Sequence, residues 1–445
     1  MKSLWEKEVT LDTFSRLEGD KRTDVLIIGG GMAGILCAYF LQKYGVDYCL
    51  VEAGRIAEGV TGHTTAKITS QHGLQYHEIA GRYGLEAAAQ YYHANQNALE
   101  YYRLLCREIS CEFEEKDNFV YSLKNRVKLE REMSVLEKIH ARVSFSETLP
   151  LPFGTCGAVT FSGQAQFHPL RFLERITKPL TIFEQTRVVG FGECIGKKEG
   201  RKVFLSGGGT VLAKKIVIAT HFPMLNKHGG YFIKLYQHRS YVSALKNAPN
   251  LPGMYVDEDK KGFSFRNAGE CLLLGGGSHR TGKRGGSYTE VREAGKRFYP
   301  GAKEVCRWAA QDCMSLDGIP YIGEYSKGSK NLYVATGFNK WGMTSAMVAG
   351  MLLADLILEK KNEYEVLFSP SRSMLTSQTV INMGESLMGL LSFTKKRCPH
   401  LGCALKWNKE EHSWDCPCHG SRFAEDGTLL DNPANDNLKK NIGKI

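Results

Sequence analysis

Asp24-Val-Leu-Ile-Ile-Gly29-Gly-Gly31-Met-Ala-Gly34 is an apolar run that ends in three spaced glycines and opens onto a helical pattern from Ile35 to Lys43. A second apolar run, Val46 to Val51, follows and is closed by Glu52. Strand, Gly-x-Gly-x-x-Gly, helix, strand and acid in this order specify a dinucleotide-binding βαβ unit. Gly29 permits the tight turn, Gly31 lets the backbone approach a pyrophosphate, and Gly34 lets the helix pack on the strand. The helix N-terminus, at Met32 and Ala33, offers unpaired N–H groups and a positive dipole end to phosphates. Glu52, with Ala53 beside it, is placed to accept ribose hydroxyls of an adenosine. A glycine-rich surface loop would lack this flanking register. The pattern alone does not separate one dinucleotide from another.

The other end of the chain carries a second constellation. Cys398-Pro-His400-Leu-Gly-Cys403 is answered by Cys416-Pro-Cys418-His419-Gly-Ser421. Cys398, His400, Cys416 and His419 thus offer two thiolates and two imidazoles. They stand a short hairpin apart, with strands at Leu405–Trp407 and Ser413–Asp415. The set fits a [2Fe-2S] cluster in which two His replace two Cys on one iron. It also fits a structural zinc ion. Zinc sites rarely carry an added pair such as Cys403 and Cys418, which favours the cluster. A one-electron centre at one end implies a source of electrons upstream.

Five further stretches bear on that source. Gly59-Val-Thr61-Gly-His63-Thr-Thr-Ala-Lys67 is a small-residue loop after the second strand, and Thr186-Arg-Val188 and Ile216-Val-Ile-Ala219-Thr220 are short strand-like runs. Asp317-Gly-Ile-Pro-Tyr-Ile-Gly323 precedes Tyr333-Val-Ala-Thr-Gly337-Phe-Asn-Lys340-Trp341-Gly342-Met343-Thr344, which opens another helix. These segments resemble the glycine/D-amino-acid oxidase (DAO) family of flavoproteins. The C-terminal boxes resemble the Rieske signature at every ligand position. The whole chain is similar to the bacterial group of DAO-family proteins with a C-terminal Rieske domain.

The resemblance implies FAD and a [2Fe-2S] cluster as cofactors. It implies that Cys398 and Cys416 hold one iron and His400 and His419 the other, with Cys403 and Cys418 as a disulfide pair. Ser421 stands where a hydroxyl hydrogen-bonds the cluster, whereas Phe423 stands where such proteins place a Tyr, so one hydrogen bond is missing. FAD is expected against the glycines and Glu52, against Thr61, His63, Val188, Ala219 and Thr220, and against the flavin box Gly337 to Thr344. His63 also resembles the His that carries FAD covalently in dimethylglycine-dehydrogenase-like enzymes; hydrogen bonding in the flavin loop is the reading preferred here.

The expected fold is α/β: a Rossmann-like FAD-binding domain interwoven with an α+β substrate domain, then a small β-rich Rieske unit. The FAD domain is expected at 1–75, 148–225 and 305–365, and the substrate domain at 76–147 and 226–304. A helical linker (366–393) and a shortened Rieske subdomain (394–445) follow. Val380, Met383, Leu387, Met388 and Leu391 share one face at helical spacing. They predict a helix docked through that face on the FAD domain rather than a membrane-surface helix, which would want a basic polar face. The two boxes and their hairpin are too small to bury a core alone and are expected to lean on the cluster and the neighbouring domain.

Composition sets outer bounds. At 445 residues, two or three domains are expected. The net charge of +11 comes from Lys and Arg spread along the chain, with short doublets and no aromatic-interleaved stripe, so no nucleic-acid partner is expected. No apolar run approaches a transmembrane length, and Met1 to Lys21 is polar with no apolar core, so no secretory signal is expected. Thirteen cysteines, most of them scattered, point to reduced thiols and a cytoplasmic setting.

The function expected is oxidation of a C–N bond in a small amine or amino acid, with electrons leaving FAD one at a time through the cluster to an acceptor protein. Arg239, Tyr241, Arg266 and Lys340 are the candidate catalytic residues, with His238, His279 and Arg280 nearby. An Arg or Tyr among them is expected to pin a substrate carboxylate. The alternative is a flavin and iron–sulfur electron-transfer or redox-sensing protein without a small-molecule substrate.

Overall fold

The computed structural model describes residues 1–194, 200–225, 228–259, 261–373, 376–392 and 396–438. Three sheets organise them. Val25 to Ile28 is apolar at consecutive positions, so both faces of its strand need cover. Lys21–Ile28 accordingly lies inside an eight-stranded sheet, flanked in parallel by Thr210–Ile218 and Tyr48–Val51. Leu332–Thr336 and Ile182–Phe183 extend it in parallel on the two sides. Leu26, Ile27, Val217 and Ile218 are fully buried. The helices Met32–Lys43 and Gly342–Ile357 cross in contact; Gly350 permits this, since a Cβ there would lie 3.1 Å from Leu36.

The second sheet has nine strands. Leu235–Lys246 runs between Lys303–Ser315 and Cys271–Arg280, both antiparallel to it. The amphipathic segment read at Leu85–Arg107 is the helix Leu85–Glu108, buried along Tyr91, Ala94, Asn95, Ala98 and Tyr102. Two stretches depart from the expected domain limits. Ala158–Gln166, placed by sequence in the FAD domain, pairs with Glu114–Tyr121 and Val143–Ser146 in the second sheet. Lys303–Ser315, cut by the expected boundary at 305, stays with the second sheet to its last residue. A buried apolar run fits either sheet, and only the partner strand decides which.

The third sheet has four antiparallel strands, Lys406–Asn408, Ser413–Asp415, Arg422–Ala424 and Leu429–Asp431. The last two add to the expected hairpin. Phe423, Leu405 and Ala434 pack with the four box cysteines into a small core.

The linker helix is present as Ser377–Leu391, but it is turned the other way round from the expectation. Val380, Met383, Leu387, Met388 and Leu391 are all exposed. The docked face is instead Asn382, Glu385 and Gly389. Asn382 Nδ2 donates to the Ile233 carbonyl at 3.0 Å, and its Oδ1 accepts from Arg280 at 2.9 Å. Glu385 pairs with Lys283 at 2.5 Å, and Gly389 lies directly against Cys418 and Cys403. Close approach to the cysteine loops demands a small residue, so the polar and small stripe, not the apolar one, faces the protein.

Candidate functional site

A cavity of about 640 Å³ lies between the first and second sheets. Its walls come from the dinucleotide fingerprint, the flavin box and the third sheet. Gly29 has φ +114°, and a Cβ there would meet the Ala219 carbonyl oxygen at 2.5 Å. Only glycine fits that approach. Glu52 accepts from the N–H groups of Gly30 (2.7 Å) and Gly54 (2.8 Å), tying the first turn to the second strand. The Thr61 hydroxyl accepts from Met32 N–H at 3.0 Å.

Gly29, Gly31, Met32, Ala33, Glu52, Ala53, Thr61 and His63 line the cavity. So do Val188, Ala219, Thr220, Gly337, Trp341, Gly342 and Met343. Gly34 stands behind Gly29 at the strand–helix contact rather than on the wall, in keeping with its packing role. Thr344 is a departure: its hydroxyl donates to the Thr69 carbonyl at 3.0 Å and meets His72 Nε2 at 2.9 Å, away from the cavity. His63 Nδ1 is 2.9 Å from the Gly59 carbonyl, and its Nε2 is 3.4 Å from Glu6. Both ring nitrogens therefore have partners within the protein.

Two residues without an assigned role support this wall. His72 is buried, stacks on Trp341 at 5.1 Å and 12°, and meets the Tyr91 hydroxyl at 2.6 Å. Burial lowers its pKa to about 3, so the ring is neutral. Lys67 lines the cavity, and burial together with the Arg266 charge lowers its pKa to about 7. Its place at the end of the small-residue loop was visible in sequence; its burial was not.

The candidate catalytic residues divide. Tyr241, Lys340 and His238 line the cavity, and Lys340 donates to Ser278. Arg239 and Arg266 do not line it. Arg239 is buried and forms a two-pronged ion pair with Glu411, in the turn between the first two strands of the third sheet, its Nε at 2.6 Å. Arg266 donates to the carbonyls of Thr65 and Ala66 at 2.8 Å and to that of Asn267 at 2.9 Å. With their donors taken up in this way, neither arginine is available to a substrate carboxylate.

The second site lies at the two cysteine loops. Cys403 and Cys418 form a disulfide across them. Cys398 and Cys416 are buried, and the His400 and His419 rings lie 5.0 Å apart at 87°. Gly402 N–H donates to the Cys398 carbonyl and Gly420 N–H to that of Cys416, both at 2.9 Å, so each loop closes on itself. Cys398 is the more acidic thiol: its hydrogen bond with Cys416 lowers it most, burial opposes, and Ser421 and the His400 and Leu401 N–H groups add, giving about 7. Burial chiefly, and then the His400 and Arg280 charges, hold His419 neutral, with a pKa of about 3. Its Nδ1 is buried without a hydrogen-bond partner. Two converging thiols and a neutral imidazole with an orphaned nitrogen fit iron ligation.

The two sites share a boundary. Leu429, Leu430, Asp431, Asn432, Ala434 and Asn435, beyond the second cysteine box, are part of the cavity wall. Asn432 Nδ2 donates to the carbonyls of Thr220 (2.7 Å) and Phe222 (3.0 Å), and Gln237 donates to the Asn432 carbonyl at 2.8 Å. Gln311 donates to Gly420 at 2.9 Å, and Arg280 to the Cys418 carbonyl at 2.9 Å. Phe222 and Phe232 approach His400 and His419 edge-on, at 6.4 and 6.3 Å. The imidazole side of the loops therefore faces the larger body.

Comparison with known proteins bears on both sites. The family profile for FAD dependent oxidoreductases (DAO) matches residues 24–356, and that for the Rieske [2Fe-2S] domain matches 370–441. The chain is 34% identical to the Rieske 2Fe-2S iron-sulfur protein YhfW of Bacillus subtilis (strain 168), over 98% of this chain and 96% of that one. Its fold is similar to glycine oxidase from Geobacillus kaustophilus (TM-score 0.67, 20% identity, 80% of this chain and 100% of the other). It is also similar to L-proline dehydrogenase from P. horikoshii (TM-score 0.65, 18% identity, 79% and 98%).

Proposed function

This chain belongs to the DAO family of FAD-dependent oxidoreductases and carries a C-terminal Rieske [2Fe-2S] domain, and from that membership we propose that it oxidises a carbon–nitrogen bond of a small amine or amino acid and delivers the electrons through the cluster to an acceptor protein. When bound, FAD supplies two-electron acceptance and the cluster one-electron transfer. The chain's own part is to hold the two together and to position a substrate. Gly29, Gly31 and the N–H groups at Met32 and Ala33 would cradle the pyrophosphate, and Cys398, Cys416, His400 and His419 would hold the cluster. The disulfide Cys403–Cys418 braces the loops that carry those ligands.

The observation that carries the proposal is the shared wall. Residues 429–435 of the cluster-bearing unit close the cavity that the dinucleotide fingerprint opens. Asn432 ties that segment to Thr220, a residue of the same wall. A cavity whose walls also include His238, Tyr241 and Ser278 supports a small-molecule substrate over a flat electron-transfer face. A relay would be redundant if oxygen reoxidised the flavin quickly, so the reading is of a dehydrogenase rather than an oxidase. Among the described residues no helix is long and apolar enough to cross a membrane. Buried free thiols at Cys37, Cys49, Cys271 and Cys313 support a reducing, cytoplasmic setting.

The test is an anaerobic screen of amines and amino acids against the holoprotein. The expected result is flavin bleaching followed by the EPR signal of the reduced cluster. No bleaching by either class would refute the substrate reading.

A further inference from the structure

Arg187 lies on the wall between Thr186 and Val188, and the other arginines near the cavity point away from anion recognition. Arg239 is closed by Glu411, Arg266 by backbone carbonyls, and Arg280 by the Pro417 and Cys418 carbonyls and Asn382. Arg55, at the Glu52 end of the wall, donates to the Leu11 and Asp12 carbonyls and stands 3.6 Å from Glu184. Of the lysines on the wall, Lys340 is engaged with Ser278, and burial and the Arg266 charge lower the pKa of Lys67 to about 7, which weakens its hold on a charge.

The acids on the wall differ in what they meet, and Asp312 is the one held beside the flavin box. Glu52 is tied to Gly30 and Gly54, Glu258 to Lys128, and Asp431 to Arg422, while Glu58, Asp257 and Asp259 accept the backbone N–H groups of Arg55, Asp259 and Lys261. Asp312 belongs to none of these pairs. It sits on Lys303–Ser315 directly opposite His238 on the neighbouring strand. The next residue, Cys313, accepts the Asn339 N–H at 3.1 Å, and Met314 bridges to Phe338. Asp312 is thereby held beside the flavin box, where Ser278, His238, Tyr241 and Lys340 share the wall. Burial raises its carboxyl to about 6, against the opposing pull of Lys340 and Arg239, so a bound cation would be well rewarded there.

We infer that the cavity recognises its substrate as a cation, the Asp312 carboxylate taking the ammonium of a small primary or secondary amine that carries no carboxylate of its own. The inference rests on the amine-or-amino-acid reading above and narrows it to amines. A carboxylate and an ammonium in a partly desolvated cavity form a charge-assisted hydrogen bond. A substrate carboxylate at the same place would meet Asp312 as a like charge, with Arg239, Arg266 and Arg280 already closed off. Leu429 and Leu430, also on the wall, supply an apolar surface for an alkyl group.

The experiment is an anaerobic titration of the holoprotein with matched pairs: butylamine against norvaline, and dimethylamine against sarcosine. Perturbation of the flavin absorption band reads binding, and bleaching reads turnover. The amines are expected to bind at least about tenfold more tightly than their carboxylated partners. Asp312→Asn is expected to weaken amine binding about 10- to 100-fold with flavin content unchanged, and Asp312→Glu to retain most of it. Amino acids binding as well as or better than the amines would overturn this inference while leaving the broader reading intact. Amine binding unaffected by Asp312→Asn would overturn it equally. If neither class perturbs or bleaches the flavin, both readings fail. Should Asp312→Asn lose its flavin, the matched pairs on the unaltered protein still decide.

Discussion

Phe423 is fully buried in the small core of the Rieske unit and brings no hydroxyl to it, whereas Ser421 stands beside Cys398 and also accepts the Ala434 N–H at 3.0 Å. Hydrogen bonds to the sulfurs of such a cluster stabilise its reduced form and raise its potential. Phe423→Tyr is therefore expected to raise the midpoint by about 40 mV, the one-electron equivalent of a hydrogen bond worth about 1 kcal/mol. An EPR-monitored redox titration checks this, and an unchanged or lower midpoint would count against the assignment. At this scale, residue type told much: two boxes of cysteine and histidine stand out in the sequence, and their resemblance to the Rieske signature implies the Cys403–Cys418 pair that the structure joins. Asp312 and His72 could not. Each is a single polar residue in a local pattern that any strand or loop could carry, and only the fold brings one to the cavity wall and the other beneath Trp341.

The linker helix Ser377–Leu391 shows what periodicity can and cannot convey. Its existence and amphipathic character follow from the apolar spacing, but the side that docks is set by how near the backbone must come to the cysteine loops. Gly389 is buried against Cys418 and Cys403, with no space for a larger side chain. Gly389→Val is expected to force the helix outward at a cost of about 1–3 kcal/mol and to lower iron content. Iron and labile-sulfide analysis of purified protein checks this; full occupancy with unchanged stability would show that the helix docking is dispensable. The βαβ unit, by contrast, was readable in full, because turn, helix start and acid all lie within Asp24 to Glu52 and the acid bonds the turn directly. Strand membership was less legible. Ala158–Gln166 finds its neighbours through tertiary pairing that no local pattern encodes.

In the whole molecule, the Rieske unit is held against the flavoprotein body by a buried ion-pair network. Arg239 meets Glu411, and Arg422 meets Glu411 at 2.9 Å and Asp415 and Asp431 at 3.0 Å. Arg239 and Glu411 are 172 residues apart, so no local pattern reveals the arginine's partner. Burial acts to raise the Glu411 carboxyl, but Arg239 and Arg422 outweigh it and hold it at about 2, below its ordinary 4.5. With the folded value below the unfolded one, the stabilisation is fully present above about pH 4.5 and is lost as the pH falls toward 2. Glu411→Gln leaves two buried guanidiniums short of a counter-charge and is expected to cost about 3 kcal/mol. It should also flatten the acid limb of stability between those pH values. Denaturant unfolding of the holoprotein across that range checks both, and a variant with unaltered stability and acid limb would remove the network from the account.

The shared cavity wall and the imidazoles turned toward the larger body make internal electron transfer the central claim. Rapid mixing of the anaerobic holoprotein with an amine that bleaches its flavin, followed by freeze-quench EPR, tests it most directly. The predicted result is growth of the reduced [2Fe-2S] signal in step with loss of electrons from the reduced flavin. Complete flavin bleaching with the cluster still oxidised throughout turnover would contradict it.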